Sequence, residues 1–364
     1  MNEKQLKRIV INGFKSIKKS DVKLSMINVL IGSNGAGKSN FISIFTLLNN
    51  IIKRELQNYT AQCGGAGAFL FNGPKTTSEL GIIFEFGQNS YGFTLSRSDN
   101  DTFLFSDERF GYNGNWETTL SVGFGHAESK REKGVHNKID DYVQPVLETQ
   151  AWRVYHFHDT SRNAKVKLSH DMSDNIYLQF NAGNLAAFLF RLKAEYKESY
   201  DSIIKTIKLV APYFGDFILV PQNGSDKIIL RWRQVGSDDI FNANQLSDGT
   251  LRFICLAVLL LQPQDLQPET IIIDEPELGL HPFAITIFAE LVKKAAFSKQ
   301  IILSTQSVEL LNEFEPQDII VADRNNDGSV FKRLNKEELK EWLENDYSLG
   351  ELWKKNILGG RLSK

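Results

Sequence analysis

The 364-residue sequence is poor in the features that mark secreted and membrane-spanning proteins. Its two cysteines, Cys63 and Cys255, exclude a disulfide framework and are typical of a reducing compartment. Its longest apolar run, residues 253–261, has nine residues, whereas a membrane-spanning helix needs about 20. The polar start of the chain lacks the apolar core of a signal peptide. We therefore expect a cytoplasmic protein with no membrane partner.

An excess of charge of one sign is also missing, because 42 Lys and Arg stand against 44 Asp and Glu. The composition as a whole therefore does not demand a nucleic-acid partner. The first 23 residues do carry seven basic and two acidic side chains. This local excess is typical of the solvated face of an edge hairpin, but it leaves open a DNA-binding patch. The lysines that would form such a patch are Lys15, Lys18, Lys19 and Lys23.

Long heptad repeats are absent as well, so no coiled-coil arm is expected. What remains is an ordinary globular composition, with 42% hydrophobic and 24% charged residues, enough for one large or two smaller domains. The start of the chain predicts a strand over residues 6–11 and a turn at Asn12-Gly13. Residues 80–125 predict short strands, whose alternating aromatics favour a sheet core over base stacking. Residues 126–141 predict an exposed loop, and residues 184–213 one or two helices.

A glycine-rich segment connects a predicted buried strand, residues 26–31, to a predicted amphipathic helix, residues 41–56. The segment, residues 32–39, matches G-x-x-x-x-G-K-[ST] in full. Glycines let backbone N–H groups converge on phosphate oxygens, and the helix N-terminus attracts the same anion. Lys38 would neutralise the β- and γ-phosphates, and Ser39 would ligate Mg²⁺. The predicted ATP-binding residues are Asn34, Gly35, Ala36, Gly37, Lys38, Ser39 and Asn40.

Two adjacent carboxylates follow a second buried strand, residues 271–273. Asp274 would hold Mg²⁺ through its water shell, and Glu275 would orient or deprotonate the attacking water. A short apolar run that ends in Asp-Glu is weak evidence alone. After a complete phosphate loop, it indicates metal-assisted hydrolysis of a nucleotide.

A Leu-Ser-Asp-Gly segment, residues 246–249, starts a predicted helix over residues 250–261. Alone, it could be an ordinary helix N-cap. Between the phosphate loop and the Asp-Glu pair, it resembles the signature motif of the ABC-type ATPases. In those proteins the Ser and Gly of the motif contact the γ-phosphate held by the opposite subunit. The resemblance thus implies nucleotide contacts by Ser247, Asp248 and Gly249.

Further motifs resemble the SMC, RecF and OLD-like branch of these ATPases. They are Ile-Asn-Gly-Phe-Lys-Ser at 11–16, Glu-Pro-Glu-Leu-Gly-Leu-His-Pro at 275–282, Ser-Thr-Gln-Ser at 304–307 and the tail at 347–361. The last two resemble stand-alone bacterial AAA-family ATPases without a coiled coil or a fused nuclease. By this resemblance, His281 lies in a loop that crosses the dimer interface and is one of the predicted nucleotide-binding residues. Gln306 replaces a switch histidine, so it can donate a hydrogen bond to γ-phosphate or water but does not titrate near neutral pH.

The resemblance also implies a magnesium-binding Gln between residues 60 and 180, where the best equivalent is the segment His158, Asp159 and Thr160. His156 and His158 alternate on a predicted strand and could ligate a metal. Without a third ligand at suitable spacing, a polar strand face or an interface contact is favoured. Residues 323–328 lack the spacing of a Ca²⁺ loop and predict a hairpin turn.

The predicted fold is α/β, a P-loop NTPase with an ABC-type head. Its mixed central sheet is flanked by helices, and an antiparallel β subdomain and a helical lobe are inserted. Five segments are expected: the N-terminal part of the ATPase core at 1–60, the β-rich insertion at 61–180, the helical lobe and strands leading to the signature at 181–240, the C-terminal part of the core with the signature, Asp-Glu and switch Gln at 241–330, and a tail extension at 331–364.

These implications describe a slow ATPase that uses ATP and Mg²⁺, with Lys38, Glu275 and Gln306 as its catalytic residues and Ser39 and Asp274 as its metal ligands. We expect an ATP-dependent head-to-tail homodimer, with higher oligomers left open. It would act as a switch or scaffold for a separately encoded nuclease or toxin, in bacterial anti-phage defence or DNA maintenance. Two alternatives are a RecF-like DNA-binding repair ATPase and an ATP-stabilised scaffold with negligible hydrolysis.

Overall fold

The computed structural model describes residues 5–112, 115–121, 123–130, 152–221 and 224–360. The strands are β1 (Leu6–Phe14), β2 (Ile17–Lys23), β3 (Ile27–Ile31), β4 (Glu79–Phe86), β5 (Asn89–Arg97), β6 (Phe103–Tyr112), β7 (Asn115–Ser121), β8 (Trp152–Tyr155), β9 (His170–Asp171), β10 (Phe214–Phe217), β11 (Lys227–Ile228), β12 (Arg231–Gln234), β13 (Ile240–Asn242), β14 (Thr270–Asp274), β15 (Gln300–Thr305), β16 (Ile319–Asn325) and β17 (Gly328–Arg333). The helices are α1 (Lys38–Lys53), α2 (Leu56–Gln62), α3 (Leu185–Glu195), α4 (Lys197–Val210), α5 (Asp248–Leu261), α6 (Pro282–Ala295), α7 (Val308–Leu311), α8 (Lys340–Glu344) and α9 (Leu349–Lys354).

The chain divides into two compact units. The first unit combines Met1–Arg153 with Glu315–Lys364, and the second is Val154–Phe314. Within the described ranges, every helix is too short or too polar to cross a bilayer. The five segments expected from the sequence stay a prediction about domain organisation.

The first unit contains an antiparallel sheet with the strand order β2-β1-β4-β5-β6-β7. In β4, the side chains of Leu80, Ile82, Phe84 and Phe86 are buried and alternate with more exposed neighbours. This alternation is what a sheet with one face on a core requires. The aromatics of this region therefore form a sheet core, as predicted.

The first hairpin differs from the prediction. β1 continues through Asn12-Gly13 to Phe14, and the turn is formed by Lys15 and Ser16. Gly13 has φ +70°, and a Cβ there would lie 2.6 Å from the carbonyl oxygen of Glu79. The glycine is needed because β4 approaches closely, which local turn statistics do not reveal.

Three other strands of the first unit, β3, β16 and β17, lead into the glycine-rich loop. β16 pairs in parallel with β3 and in antiparallel with β17. Asn325 pairs with Gly328 across the tight turn, so the predicted hairpin over residues 323–328 is confirmed. β3 ends at Ile31, and α1 begins at Lys38, three residues earlier than its predicted start.

The segment predicted as an exposed loop at 126–141 falls partly on residues 131–141, which lie outside the described ranges. In its described part, the prediction is wrong for His126 and Ser129, which are buried. Both donate to the buried carboxylate of Glu108, His126 through Nε2 at 2.9 Å and Ser129 through its hydroxyl at 2.5 Å. Tyr91 donates to the same carboxylate at 2.9 Å. Burying this carboxylate requires such donors, and they draw the segment onto the sheet.

In the second unit, β14 and β15 pair in parallel, and their carboxyl ends carry Asp274 and Thr305. The predicted helical region at 184–213 forms two helices, α3 and α4. Helix α5 is buried at every position from Leu251 to Leu260, as its nearly continuous apolar sequence predicts. The carboxyl ends of parallel strands are where ligand-binding residues gather in open α/β sheets.

Candidate functional site

The glycine-rich loop connects β3 to α1 in the first unit. Gly37 precedes α1 with φ +110°, and a Cβ on it would lie 2.2 Å from the hydroxyl oxygen of Ser329. Only glycine fits there. Asn34, Gly35 and Ser39 are exposed, whereas Ala36, Gly37 and Lys38 are buried. An exposed loop at the N-terminus of a 16-residue helix offers backbone N–H groups and a favourable dipole to an anion.

Side chains hold this loop from behind. The ammonium of Lys38 donates to the carbonyl oxygens of Gly32 at 2.7 Å and of Ser33 at 3.3 Å. The side-chain amide of Asn40 donates to Ser16 Oγ at 2.7 Å. Ser16 in turn shares a hydrogen bond of 2.7 Å with Ser329. The predicted ligand Asn40 thus joins the loop to the first hairpin and to β17.

The C-terminal tail also contacts the loop. Ser33 N donates to the carbonyl oxygen of Gly360 at 2.8 Å. Gly360 has φ +82°, and a Cβ on it would lie 2.9 Å from Val321 Cγ1 and 3.1 Å from the carbonyl oxygen of Ala322. Sequence reasoning missed this contact, although the paired glycines at 359 and 360 indicate an unusual backbone close to other main chain.

The predicted catalytic carboxylates lie at the end of β14 in the second unit. Asp274 Oδ1 accepts a hydrogen bond from the Ser304 hydroxyl. Glu275 has φ +44°, a left-handed conformation that costs a non-glycine residue about 1–3 kcal/mol and is concentrated at functional sites. Its N–H donates to the carbonyl oxygen of Ser304 at 2.9 Å. The Gln306 amide donates to Glu275 Oε1 at 2.8 Å. The second unit thus brings Asp274, Glu275 and Gln306 together.

Glu277 supports this group from one side. Its Oε1 accepts from the Thr305 hydroxyl at 2.6 Å and from Gln306 N at 3.1 Å. Its Oε2 is buried with no hydrogen-bond partner among the described residues. Burial raises the pKa of the Glu277 carboxyl, and the nearby charge of Glu275 adds to this effect. Glu277 therefore fixes the backbone from which Gln306 reaches Glu275, a role that sequence reasoning missed.

The signature-like segment forms the start of α5. Ser247 is exposed and caps the helix, because its hydroxyl oxygen accepts from Thr250 N at 3.1 Å. Asp248 Oδ1 lies 3.8 Å from Lys167 Nζ. A Cβ on Gly249 would lie only 2.3 Å from the carbonyl oxygen of Gly279. Gly249 is therefore required for the close approach of α5 to the loop that follows Glu275.

His281 has a local role as well. It precedes α6, and its Nδ1 accepts a hydrogen bond from Phe283 N at 3.3 Å. The predicted interface residue is therefore a helix cap in the isolated chain. Leu278 and Phe283 beside it are exposed by 40% and 52%.

Arg252 connects three segments of the second unit. Its guanidinium donates to the carbonyl oxygens of Phe157 at 2.9 Å and His158 at 3.0 Å, and also to that of Leu278. The planar fork of five N–H donors suits this task. Sequence reasoning missed Arg252, although a lone charge inside an apolar helix was an available signal.

His156 and His158 lie just beyond β8, which ends at Tyr155, so they do not form the predicted polar strand face. His158 Nε2 donates to the carbonyl oxygen of Asp274 at 2.8 Å. His156 Nδ1 lies 3.7 Å from Asp274 Oδ2. Burial lowers the pKa of the His156 imidazole, against the opposite effect of Asp274. Both histidines thus contact the residue predicted to hold Mg²⁺.

A family model agrees with the motifs in both units. The AAA_21 model, "AAA domain, putative AbiEii toxin, Type IV TA system", matches residues 27–312, more than three quarters of the chain. The chain belongs to this family of ATPase domains. This confirms the prediction that the chain is an ABC-type, SMC-like ATPase.

Solved structures show the same fold. An SMC head bound to the C-terminal winged-helix domain of ScpA is 14% identical, with a TM-score of 0.58 over 92% of this AAA_21 chain and 99% of the other. The SMC head of Pyrococcus furiosus with an extended coiled coil, bound to the C-terminal domain of ScpA, is 13% identical, with a TM-score of 0.58 over 94% and 99% of the two chains. The predicted fold class is confirmed. A comparison with curated protein sequences finds no match.

Proposed function

We propose that this AAA_21 protein hydrolyses ATP slowly and that ATP closes two copies of it into a head-to-tail dimer. The observation that carries the proposal is the group formed by Asp274, the strained Glu275 and Gln306, since Gln306 and Glu275 are joined at 2.8 Å. A carboxylate held in this way can position a water molecule and accept its proton. The full match to a phosphate loop over residues 32–39 supports nucleotide binding by this chain.

Each predicted residue has a role in this proposal. Lys38 would leave the carbonyl oxygens of its own loop and bind the β- and γ-phosphates. The exposed hydroxyl of Ser39 and the carboxylate of Asp274 would hold Mg²⁺, and both are oxygen donors of the kind that Mg²⁺ prefers. The metal would neutralise charge on the phosphates when bound. Glu275 would take a proton from water while Gln306 holds its carboxylate in place.

The proposed dimerisation is supported by the exposed residues at and near the signature segment, residues 246–249. Ser247 is exposed at a helix N-terminus, which suits a phosphate from outside the chain. Leu278 and Phe283 are exposed large apolar side chains near the cap of α6. A second copy would bury them while presenting its nucleotide to Ser247. Because only ATP would contact both copies, it would favour the closed state.

The cellular role we propose is a switch or scaffold for a separately encoded nuclease or toxin, in bacterial anti-phage defence or DNA maintenance. The family description names a toxin of type IV toxin–antitoxin systems, which supports an effector system. The SMC head structures carry bound ScpA domains, which supports partner docking on a head of this fold.

The test combines ATP turnover with native mass measured with and without ATP. Glu275→Gln should keep ATP binding and ATP-dependent dimerisation but lose about 100-fold or more in turnover. Glu198→Gln, an exposed carboxylate of the same unit, is its control. Lys38→Ala should weaken ATP binding about 100-fold or more. Lys53→Ala, at the other end of α1, should not.

Ser247→Arg tests the contact between copies. This variant should bind ATP as a monomer and fail to dimerise, whereas Ser202→Arg, on the exposed face of α4, should dimerise normally. A native mass that ATP leaves unchanged in both wild type and Glu275→Gln would overturn the dimer. Turnover equal in wild type and Glu275→Gln would overturn the assignment of the base. Dimers without turnover in either protein would favour the non-hydrolysing scaffold.

Two of the four lysines proposed for DNA binding have other partners in the structure. Lys19 and Lys23 are exposed on β2. Lys15 instead donates to Ser43 at 2.9 Å, and Lys18 pairs with Asp327 at 2.8 Å. Salt-sensitive DNA binding that weakens in a Lys19→Ala, Lys23→Ala double variant would favour this function.

A further inference from the structure

One short segment contacts the predicted metal ligand twice. His158 binds the main-chain carbonyl of Asp274 at 2.8 Å, while His156 Nδ1 stands 3.7 Å from its Oδ2. The two ring centroids are 5.8 Å apart, the ring planes are inclined at 68°, and each ring faces a different group of Asp274. His158 binds the main chain of Asp274. His156 faces the carboxylate itself.

The segment is held firmly on several sides. His156 N donates to the carbonyl oxygen of Phe180 at 2.9 Å. Arg252 binds the carbonyl oxygens of Phe157 and His158. The His156 side chain remains 38% exposed, so its main chain is held while its ring is reachable. Fixed main chain and an accessible ring are the conditions under which a side chain binds a metal without a large entropic cost.

The carboxylate is also oriented. Asp274 Oδ1 accepts the Ser304 hydroxyl, which leaves Oδ2 as the oxygen on the His156 side. Metal bonds to imidazole nitrogen and carboxylate oxygen are about 2.0–2.2 Å long. One ion can therefore bridge two atoms 3.7 Å apart. We infer that His156 Nδ1 and Asp274 Oδ2 bind the same divalent cation.

This inference rests on the proposed function, because these two atoms alone do not make a complete site. Among the described residues, no group of three or more His, Cys, Asp or Glu side chains is placed to hold a metal. The remaining ligands would be phosphate oxygens and water. A nitrogen donor raises the affinity for first-row transition metals relative to Mg²⁺. The site is thus selective for Mn²⁺-like ions, which a Gln or an all-oxygen site would not be.

The test is pulsed electron paramagnetic resonance on the full chain with Mn²⁺ and a non-hydrolysable ATP analogue. Coupling to ³¹P reports nucleotide on the metal, and coupling to ¹⁴N reports the imidazole. We expect both in wild type, and we expect the nitrogen signal to change to ¹⁵N in protein made with [¹⁵N]histidine. In His156→Gln, the ³¹P coupling should remain, the imidazole coupling should disappear, and the preference for Mn²⁺ over Mg²⁺ should fall about 10-fold.

Two matched variants complete the design. His158→Gln and His170→Gln should keep the imidazole coupling, because His170 bonds to the Lys165 carbonyl oxygen instead. If wild type shows ³¹P coupling without histidine nitrogen, or if only His158→Gln removes it, the His156 assignment is wrong while the proposed ATP site stands. If wild type lacks ³¹P coupling, the proposed ATP site itself is overturned, and the His156 assignment falls with it.

Discussion

The two units hold their predicted functional residues in place by different physical means. In the first unit, close packing at two glycines supports the predicted phosphate loop: Gly37 fits against Ser329, and Gly360 accepts from Ser33 N. In the second unit, hydrogen bonds from side chains hold the residues in place: Gln306 donates to Glu275, and Arg252 donates to three carbonyl oxygens. The comparison teaches that one kind of site is broken by adding a methyl group and the other by removing a polar group.

The largest effect on stability is expected from Arg252→Gln in the second unit. Three carbonyl oxygens would lose a charged donor, at a cost of about 3 kcal/mol. At roughly 2–4 °C per kcal/mol, the unfolding temperature should fall by about 6–12 °C. Turnover should fall with it, because the segment that carries His156 and His158 is no longer held. Thermal unfolding and an ATPase assay measure both effects.

Arg233→Gln is the control, because Arg233 is exposed in the same unit. Arg252→Lys sharpens the test: it keeps the charge but cannot form the fork of donors, so it should resemble Arg252→Gln. A Lys variant with wild-type stability would show that charge alone, without the three directed hydrogen bonds, holds the unit.

A smaller effect is expected from Gly360→Ala in the first unit. The added methyl group would meet Val321 and Ala322 at 2.9 and 3.1 Å and displace the carbonyl that receives Ser33 N. ATP affinity should fall about 10-fold, or about 1.4 kcal/mol. Calorimetric titration with ATP measures it.

Gly73→Ala separates this effect from backbone strain. Gly73 has φ +80°, close to the +82° of Gly360, but a Cβ there meets nothing within 4 Å. Both variants bear a similar strain of about 1 kcal/mol. Only Gly360→Ala should weaken ATP binding. Equal ATP affinities in the two variants would show that the C-terminal tail at Gly360 does not contribute to nucleotide binding.

The smallest effect is a pH-dependent one at Glu277. Because burial raises its pKa, the folded protein binds this proton more tightly than the unfolded chain does. Wild type should therefore lose stability relative to Glu277→Gln as the pH rises through the raised pKa. Below the ordinary Glu pKa of about 4.3, the two should converge. The expected difference at pH 8 is about 2–4 °C in unfolding temperature.

The Gln variant keeps an oxygen that can accept from Thr305 and Gln306, so geometry is preserved. Glu198→Gln, an exposed change, should give a difference that does not grow with pH. A Glu277→Gln variant less stable than wild type at pH 8 would mean that the carboxylate stabilises the fold as an anion.

Sequence reasoning succeeded where the chemistry is local along the chain. The strand before the glycine-rich loop, the strand that ends at Asp274 and the hairpin at 323–328 depend on neighbours a few residues away, so periodicity and turn chemistry predict them. It placed the first turn wrongly at Asn12-Gly13. A glycine is required at position 13 because the main chain of Glu79, which is distant in sequence, approaches closely there.

Residues whose partners are distant in sequence were missed or assigned other roles. Arg252 contacts Phe157 and His158 from 95 and 94 residues away, and Gly360 contacts Ser33 from the other end of the chain. His156 was predicted on a strand face, but it lies beyond the end of β8 and 3.7 Å from Asp274 Oδ2. No pattern among neighbouring residues in the sequence predicts such contacts.

The sequence by itself determined the family and the fold class, and it predicted which residues bind phosphate and which carboxylates act beside them. It could do so because glycine spacing, strand hydrophobicity and helix starts express short-range sterics and burial. Only the tertiary structure decided which side chains support them: Arg252 and Glu277 in the second unit, and the tail at Gly360 in the first. Their positions follow from which main-chain carbonyls and N–H groups the folded chain leaves to be satisfied, and that is set by packing between segments far apart in sequence.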